Sequence, residues 1–291
     1  MPVDSVRKWP FRWDLLLRYR YIEIIALWEG RLTTRHLCDT FGIGRQQASK
    51  EINNYNRDVG PGNLEYDKYL KGYKPTPEFT PTVTRGVADE YLHLMARNNE
   101  LNDVFESLVL NNANAESLSV PVRDVKPEIL RPIMLAARQQ KRLDVDYVSI
   151  NNPDHEGRII VPHTLVHTGL RWHVRAWCEK NQQYRDFVLS RFRETPDIMD
   201  DSEHGITGDS EWNTMVTIRI VPDPRLSKEQ QRVIEHDYGM TKGVLEVPTR
   251  GKLVPYALKL LHIDLEEQKD DPTAQQIIVE NQNDLKGWLF G

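Results

Sequence analysis

Cysteine is scarce in this chain, and long apolar runs are absent. Only Cys38 and Cys178 occur among its 291 residues, which argues against a disulfide-stapled scaffold and favours free thiols in a reducing cytoplasm. No apolar stretch reaches the ~20 residues that a membrane-spanning helix requires. Arg18 and Arg20 interrupt the apolar residues near the N-terminus, so we expect no signal peptide.

The chain also lacks an overall excess of basic charge. Its net charge is −5, and that value alone argues against a nucleic-acid binder. The charge is unevenly distributed, however. Residues 1–80 carry 13 Lys and Arg against 10 Asp and Glu, whereas residues 201–291 carry 10 against 16. Any nucleic-acid contact is therefore expected in the N-terminal part. The basic excess there is small, so the assignment depends on sequence motifs as well as on charge.

Apolar spacing predicts three helices within the first 60 residues. Residues 13–29 place their apolar side chains on one helical face, and residues 35–41 and 45–56 form two further helices. Gly42, Ile43 and Gly44 form a tight turn between the second helix and the third. Two short helices joined by a three-residue turn containing glycine are typical of a helix-turn-helix. A short hairpin is predicted after them.

The outer face of the third predicted helix carries side chains that suit DNA. Arg, Gln and Asn recognise base edges, and Ser and Lys suit phosphates. The predicted DNA-binding residues are Arg45, Gln46, Ser49, Lys50 and Asn53, joined by Lys68 and Lys71 at the hairpin tip as a wing. The alternative is that this face is only the solvated side of an amphipathic helix.

The remaining chain changes its pattern twice. Helical spacing at 84–107 and 127–140 gives way to a period of two at 143–150, 158–163, 171–178 and 184–192. The acidic stretch Asp200–Asp209 is predicted as a polar loop, and a β-α-β-α-β order follows it. We expect a winged helix-turn-helix domain at 1–80, a helical linker at 81–126, a sheet domain at 127–200 and a C-terminal domain at 201–291.

The segment VPHTLVHTGLRWHVRAWCEKNQQYRDFVLSRF, residues 161–192, resembles the WYL domain of bacterial transcription regulators. The tripeptide that names that domain is Trp172-His173-Val174 here, so two of its three letters differ. Together with the N-terminal motif, nearly the whole chain resembles the BrxR and CapW type of regulator found beside anti-phage defence islands.

The resemblance implies an α+β protein with three functional parts. These are the winged helix-turn-helix, a small β-barrel-like WYL domain with a basic pocket for a nucleotide or nucleic-acid fragment, and a C-terminal extension that helps dimerisation. It implies a homodimeric repressor of a phage-defence operon in the bacterial cytoplasm. Two recognition helices about 34 Å apart would bind an inverted repeat in double-stranded DNA.

Strand alternation suggests which side chains form that pocket. Arg185 and Arg191 share one strand with aromatic residues, which is costly unless an anion, an acidic partner or solvent receives them. Tyr147 and Ser149 add hydroxyls from the first strand. The predicted ligand-binding residues are thus Tyr147, Ser149, His173, Arg185 and Arg191. The alternative is that the two arginines pair with surface carboxylates.

Other chemistry finds little support in the sequence. His163, His167, His173 and Cys178 fit no standard zinc spacing, and no nucleotide-hydrolysis or dinucleotide-binding motif occurs. We therefore expect no metal, no cofactor and no catalytic residue. Two rivals to the repressor remain open. One is a nucleic-acid-targeted enzyme or signalling protein whose helix-turn-helix only localises it, and the other is an adaptor that binds protein.

Overall fold

The computed structural model describes residues 10–102, 123–151, 153–154, 156–265 and 270–289. The chain forms two compact units, Met1–Ser119 and Val120–Gly291. The predicted linker at 81–126 and the predicted helix at 84–107 both extend outside the described residues. Within the described ranges, none of the helices has the length and apolar character to span a bilayer.

The first unit is a helical domain with a short hairpin. Its elements are α1 (Trp13–Glu29), α2 (Thr34–Phe41), α3 (Arg45–Asn54), β1 (Leu64–Asp67), β2 (Gly72–Pro75) and α4 (Ala88–Asn102). Ile22, Leu37 and Ile52 are fully buried and join α1, α2 and α3 in one core. Gly42 ends α2 with φ +62°, a left-handed conformation that glycine adopts without steric cost.

The hairpin completes the expected winged helix-turn-helix, which is confirmed. Strands β1 and β2 are antiparallel. Leu32, which precedes α2, pairs with Tyr73 of β2 through two backbone hydrogen bonds. The third helix was expected to reach residue 56. Instead it ends at Asn54 and continues as a π-helical turn, Tyr55–Val59. Helix α4 contributes Met95 to the same core, so this part of the predicted linker packs with the first unit.

The second unit begins with a helix packed on a five-stranded sheet. Its elements are α5 (Pro127–Gln139), β3 (Lys141–Tyr147), β4 (Glu156–His167), β5 (Trp172–Cys178), β6 (Gln183–Val188) and β7 (Asp197–Asp201). The strand order is β6-β5-β4-β3-β7, and all neighbours are antiparallel. The expected barrel-like closure is wrong, because β6 and β7 are the two edges and do not pair within the described residues.

The acidic stretch Asp200–Asp209 was predicted as a loop. That prediction is wrong for Asp200 and Asp201, which belong to strand β7. An edge strand needs no apolar alternation when it is exposed to solvent, so the pattern of buried residues gave no warning. Cross-strand ion pairs attach it to β3. Lys141 Nζ lies 2.7 Å from Asp201 Oδ1, and Arg142 Nη1 lies 2.8 Å from Asp200 Oδ1.

The C-terminal part has the expected β-α-β-α-β order, which is confirmed. Its elements are β8 (Met215–Pro222), α7 (Lys228–Asp237), β9 (Leu245–Arg250), α8 (Val254–Leu260) and β10 (Ile277–Val279), preceded by α6 (Ser210–Asn213) and followed by α9 (Gln282–Leu285). The three strands form one antiparallel sheet in the order β10-β8-β9. Val254 and Leu258 of α8 are buried in the core of this part.

Candidate nucleic-acid interface and ligand pocket

Helix α3 divides cleanly into a buried face and an exposed face. Ala48 and Ile52 are fully buried against the first two helices. The predicted DNA-binding side chains lie on the other side of the helix: Arg45, Gln46, Lys50 and Asn53 are exposed, and Ser49 is half-buried. The structure therefore brings these five residues together along one solvent-facing stripe, as the helical spacing predicts.

One acidic residue of α3 is withdrawn from that stripe. Glu51 is 7% exposed, and its Oε2 accepts a hydrogen bond from Arg18 Nε at 2.7 Å. Its other oxygen accepts from Gln47 Nε2 at 3.0 Å. Because the carboxylate is neutralised from α1, it does not repel an anion approaching the exposed face.

The wing is tied to the recognition helix and ordered at its tip. The Tyr73 hydroxyl donates to Asn53 Oδ1 at 3.2 Å. At the tip, Asp67 Oδ1 accepts from the backbone N–H groups of Tyr69 and Leu70, and hydrogen bonds from these groups hold the pKa of Asp67 below its ordinary value. The predicted wing residues Lys68 and Lys71 are both exposed there.

Two further arginines, which the sequence reasoning missed, lie next to this surface. Arg31 and Arg35 line a concavity of about 690 Å³ together with Arg45 and Lys71. Arg31 Nε also donates to the Leu70 carbonyl at 2.7 Å, which fastens the wing tip to the start of α2. Their only sequence signal was basic charge around the first helix of the motif.

A polar cavity of about 610 Å³ lies in the second unit and contains four of the five predicted ligand-binding residues. Tyr147, Ser149, Arg185 and Arg191 all line it. The charged residues among its described lining are the cations Arg158, Lys180, Arg185, Arg191 and Lys252 and the carboxylates Asp186 and Glu211. Cations outnumber carboxylates, so the cavity suits an anion.

Tyr147 and Arg158 form one wall of the cavity. The Tyr147 hydroxyl accepts a hydrogen bond from the Val188 backbone N–H at 3.1 Å, so this group is already engaged by the protein. The Arg158 guanidinium lies 5.5 Å from the centre of the Tyr147 ring and 6.0 Å from that of Phe187. Stacking of this kind orients a guanidinium for anion binding. Arg158 was missed because it follows a turn and shares no spacing with Arg185.

The alternative partners considered for Arg185 and Arg191 were surface carboxylates. Arg185 Nη1 donates to the neutral Asn181 Oδ1 at 2.9 Å. Among the described residues neither Arg185 nor Arg191 lies within ion-pair distance of a carboxylate. Both side chains border the cavity, so an anion there would find two guanidinium groups available.

His173 is the fifth predicted ligand-binding residue, and it is not among the residues that line the cavity. It is only 3% exposed, and its ring centre lies 5.4 Å from that of Tyr256, which does line the cavity. Burial and the nearby charges of Arg171 and Arg191 lower the pKa of His173 to about 4. A neutral, buried imidazole supports the pocket from behind.

A buried arginine beside the cavity was also missed. Arg175 is fully buried, and its guanidinium contacts three carboxylates: Asp209 at 2.7 Å, Glu211 at 2.7 Å and Asp186 at 3.4 Å. Burial raises the pKa of Asp209, but hydrogen bonds from His163 and Arg175 outweigh it and hold that pKa well below its ordinary value. This cluster joins β5 and β6 to the residues that precede β8.

The histidines considered as metal ligands are engaged otherwise. His163 Nε2 lies 3.2 Å from Asp209 Oδ2, and the His167 ring lies against Trp172 with 4.9 Å between ring centres. Within the ranges the structure describes, no group of three potential ligands is close enough to hold a metal ion.

Family comparisons match all three parts of the chain. Residues 14–97 match the BrxR transcriptional regulator winged helix-turn-helix domain, residues 128–195 the WYL domain, and residues 215–285 the BrxR transcriptional regulator C-terminal dimerization domain. The chain belongs to the BrxR and CapW family of WYL-domain transcriptional regulators.

Individual relatives match over almost the full length. The DNA-binding transcriptional repressor CapW of Stenotrophomonas maltophilia is 32% identical over 279 residues, 96% of this chain and 93% of the relative. CapW of Escherichia coli is 31% identical, with the same coverage of both chains. CapW of Pseudomonas aeruginosa is 30% identical over 94% of this chain and 92% of its own.

Among solved structures, the proteasome accessory factor B/C of Arthrobacter aurescens is similar at 15% identity. The match covers 94% of this chain but only 47% of that one, with a TM-score of 0.24. A likeness this low carries no argument about function.

Proposed function

We propose that this protein is a homodimeric DNA-binding transcriptional repressor of a phage-defence operon, acting in the bacterial cytoplasm and controlled by an anionic effector. The observation that carries the proposal is the exposed polar stripe of α3, which has its only carboxylate turned inward and a basic wing beside it. Membership of the BrxR and CapW family supports it over 96% of the chain. We propose 1–80, 127–200 and 201–291 as its DNA-binding, effector-sensing and C-terminal divisions; 81–126 lies between the first two, and its helix α4 packs with the first unit.

The proposed base-reading residues are Arg45, Gln46 and Asn53, with Ser49 and Lys50 on phosphates or base edges. Lys68 and Lys71 would reach the DNA backbone from the wing. A dimer presents two such helices, so the operator is expected to be an inverted repeat with half-sites about 34 Å apart.

A mobility shift with the DNA upstream of the gene tests the proposal. Gln46→Ala removes a base contact and Lys50→Ala a base or phosphate contact, and each should weaken specific binding by about tenfold. Lys126→Ala, an exposed lysine outside both candidate sites, is the matched control and should bind like the wild type. Unchanged affinity in both α3 variants would reject the interface.

The effector is proposed to bind the cavity lined by Arg185 and Arg191, and a nucleotide or a short oligonucleotide has the required charge. Repeating the mobility shift with a panel of both classes should identify compounds that change operator affinity. Arg185→Gln should abolish that change and leave effector-free DNA binding intact. We propose no catalytic activity, and turnover of a nucleotide by the purified protein would favour the enzyme alternative.

A further inference from the structure

One side of the effector cavity is built from the C-terminal part of the chain. Lys252 lies in the 3₁₀ turn Gly251–Leu253, Tyr256 in α8 and Glu211 in α6. All three line the same cavity as Arg158 and Arg185 of the sheet. The cavity is thus shared between the sheet domain and the domain that matches a dimerisation module.

Lys252 holds its present carboxylate weakly. Its Nζ lies 3.5 Å from Glu211 Oε2, and the two side chains are 25% and 50% exposed. The same Glu211 oxygen lies 2.7 Å from the Nη2 atom of the fully buried Arg175. Since Glu211 has a shorter contact with another cation, Lys252 can leave it at little cost.

Tyr256 lines the cavity and is held in place by its neighbours. It donates to Asp186 Oδ2 at 3.3 Å, and its ring packs on His173. Burial and the neighbouring Asp186 charge raise the pKa of Tyr256, so the phenol keeps its proton and remains a donor. Burial likewise raises the pKa of Asp186.

The segment that carries both residues is fixed to the C-terminal core. Val254 is fully buried and Leu258 is 4% exposed in that core, and they lie on the same helix as Tyr256. Because packed cores transmit displacement rather than absorb it, a change at Lys252 is passed to this domain.

We propose that Lys252 and Tyr256 are effector-binding residues, so that the anion site is composite and the C-terminal domain senses its occupancy directly. An entering anion takes Lys252 from Glu211 and the Tyr256 O–H from Asp186, while Arg175 retains both carboxylates and keeps the sheet in place. The inference rests on the effector pocket proposed above and adds that the pocket is incomplete without residues 251–256.

Titration of the full-length protein with inorganic pyrophosphate tests this assignment. Lys252→Gln is expected to weaken pyrophosphate binding by about tenfold, and Tyr256→Phe by about fivefold, because each removes one hydrogen bond to a charged ligand. Arg185→Gln reports on the sheet side. Lys228→Gln, an exposed lysine of α7 outside the cavity, is the matched control and should bind like the wild type.

A second readout follows the segment itself. Pyrophosphate should slow hydrogen–deuterium exchange in residues 251–260 of the wild type, and Lys252→Gln should lose that protection. Tyr256→Phe removes only the hydroxyl and keeps the ring contact with His173. It therefore still tests the composite site if Lys252→Gln fails to fold.

The outcomes separate this inference from the proposed function. If Arg185→Gln loses binding while Lys252→Gln and Tyr256→Phe keep wild-type affinity, the site belongs to the sheet alone and the composite site is overturned. If the wild type binds no pyrophosphate, the anion pocket falls together with this inference. Neither result touches operator binding, which the mobility shift measures independently.

Discussion

Replacing Arg18 with methionine removes one partner of a buried ion pair that holds the recognition helix. The Arg18 and Glu51 side chains are 11% and 9% exposed, and Nε and Oε2 are 2.7 Å apart. Methionine keeps the aliphatic length but leaves the Glu51 carboxylate in a low-dielectric environment with Gln47 as its remaining donor. Breaking a buried pair in this way costs about 3–5 kcal/mol. The retained Gln47 bond places the expected loss near 3 kcal/mol.

A double-mutant cycle separates this loss from lost packing. Arg18→Met combined with Glu51→Met removes both charges, and an apolar pair of similar volume is often neutral. The double variant should therefore be more stable than Arg18→Met alone. If the two substitutions merely added their packing defects, the double variant would instead be less stable than Arg18→Met alone.

Hydrogen–deuterium exchange of the peptide that contains α3 is the appropriate assay, because it localises the effect within a two-unit protein. A loss of about 3 kcal/mol raises the equilibrium population of the open state roughly a hundredfold, and the exchange rate rises by the same factor. A change below about threefold in Arg18→Met would refute the buried-pair argument.

Further expectations concern charge at four other positions. Lys68→Ala combined with Lys71→Ala should lower the magnitude of the salt slope of DNA binding by about 2, measured by mobility shift at several salt concentrations, with equal effect on all DNA sequences. Arg175→Met leaves the buried Asp209 with His163 but without its arginine partner, and should cost the second unit about 3–5 kcal/mol in urea unfolding. His173 has a lowered pKa of about 4, so its contribution is complete above pH 6.5 and is lost as the pH falls towards 4. That loss amounts to about 3 kcal/mol, and His173→Phe should remove it from the pH profile of stability.

Local chemistry explains why the first unit was predictable. The stripe of α3 follows from helical spacing around Ala48 and Ile52, and Gly42 in a left-handed conformation fixes the end of α2. These signals lie within a few residues of one another. The π-helical turn at Tyr55–Val59 was missed because it continues the helical spacing, and only its hydrogen bonds distinguish it.

The second unit shows where sequence reasoning fails. Arg175 and Asp209 lie 34 positions apart, and no periodicity relates them, yet they form an ion pair whose side chains are 0% and 1% exposed. The strand that carries Arg175 was predicted, but its pattern did not reveal that Arg175 faces Asp209 and Asp186. Lys252 and Tyr256 reach the cavity from the other end of the unit, so only the tertiary fold brings them to Arg185.

The two proposed anion-binding surfaces lie in different compact units, and this places a thermodynamic condition on any regulation between them. The proposed effector site lies in Val120–Gly291 and the proposed DNA surface in Met1–Ser119, so the effector does not need to occupy the DNA surface to regulate it. It can change operator affinity only by binding the DNA-competent and incompetent states with different affinities. Linkage is reciprocal, so saturating operator DNA must change effector affinity by the same factor. An effector that competes for the α3 surface is excluded completely by saturating operator DNA, whereas one that binds the cavity has its affinity changed only by that finite factor. Arg185→Gln distinguishes these cases, because it removes the effect only when the cavity is the site.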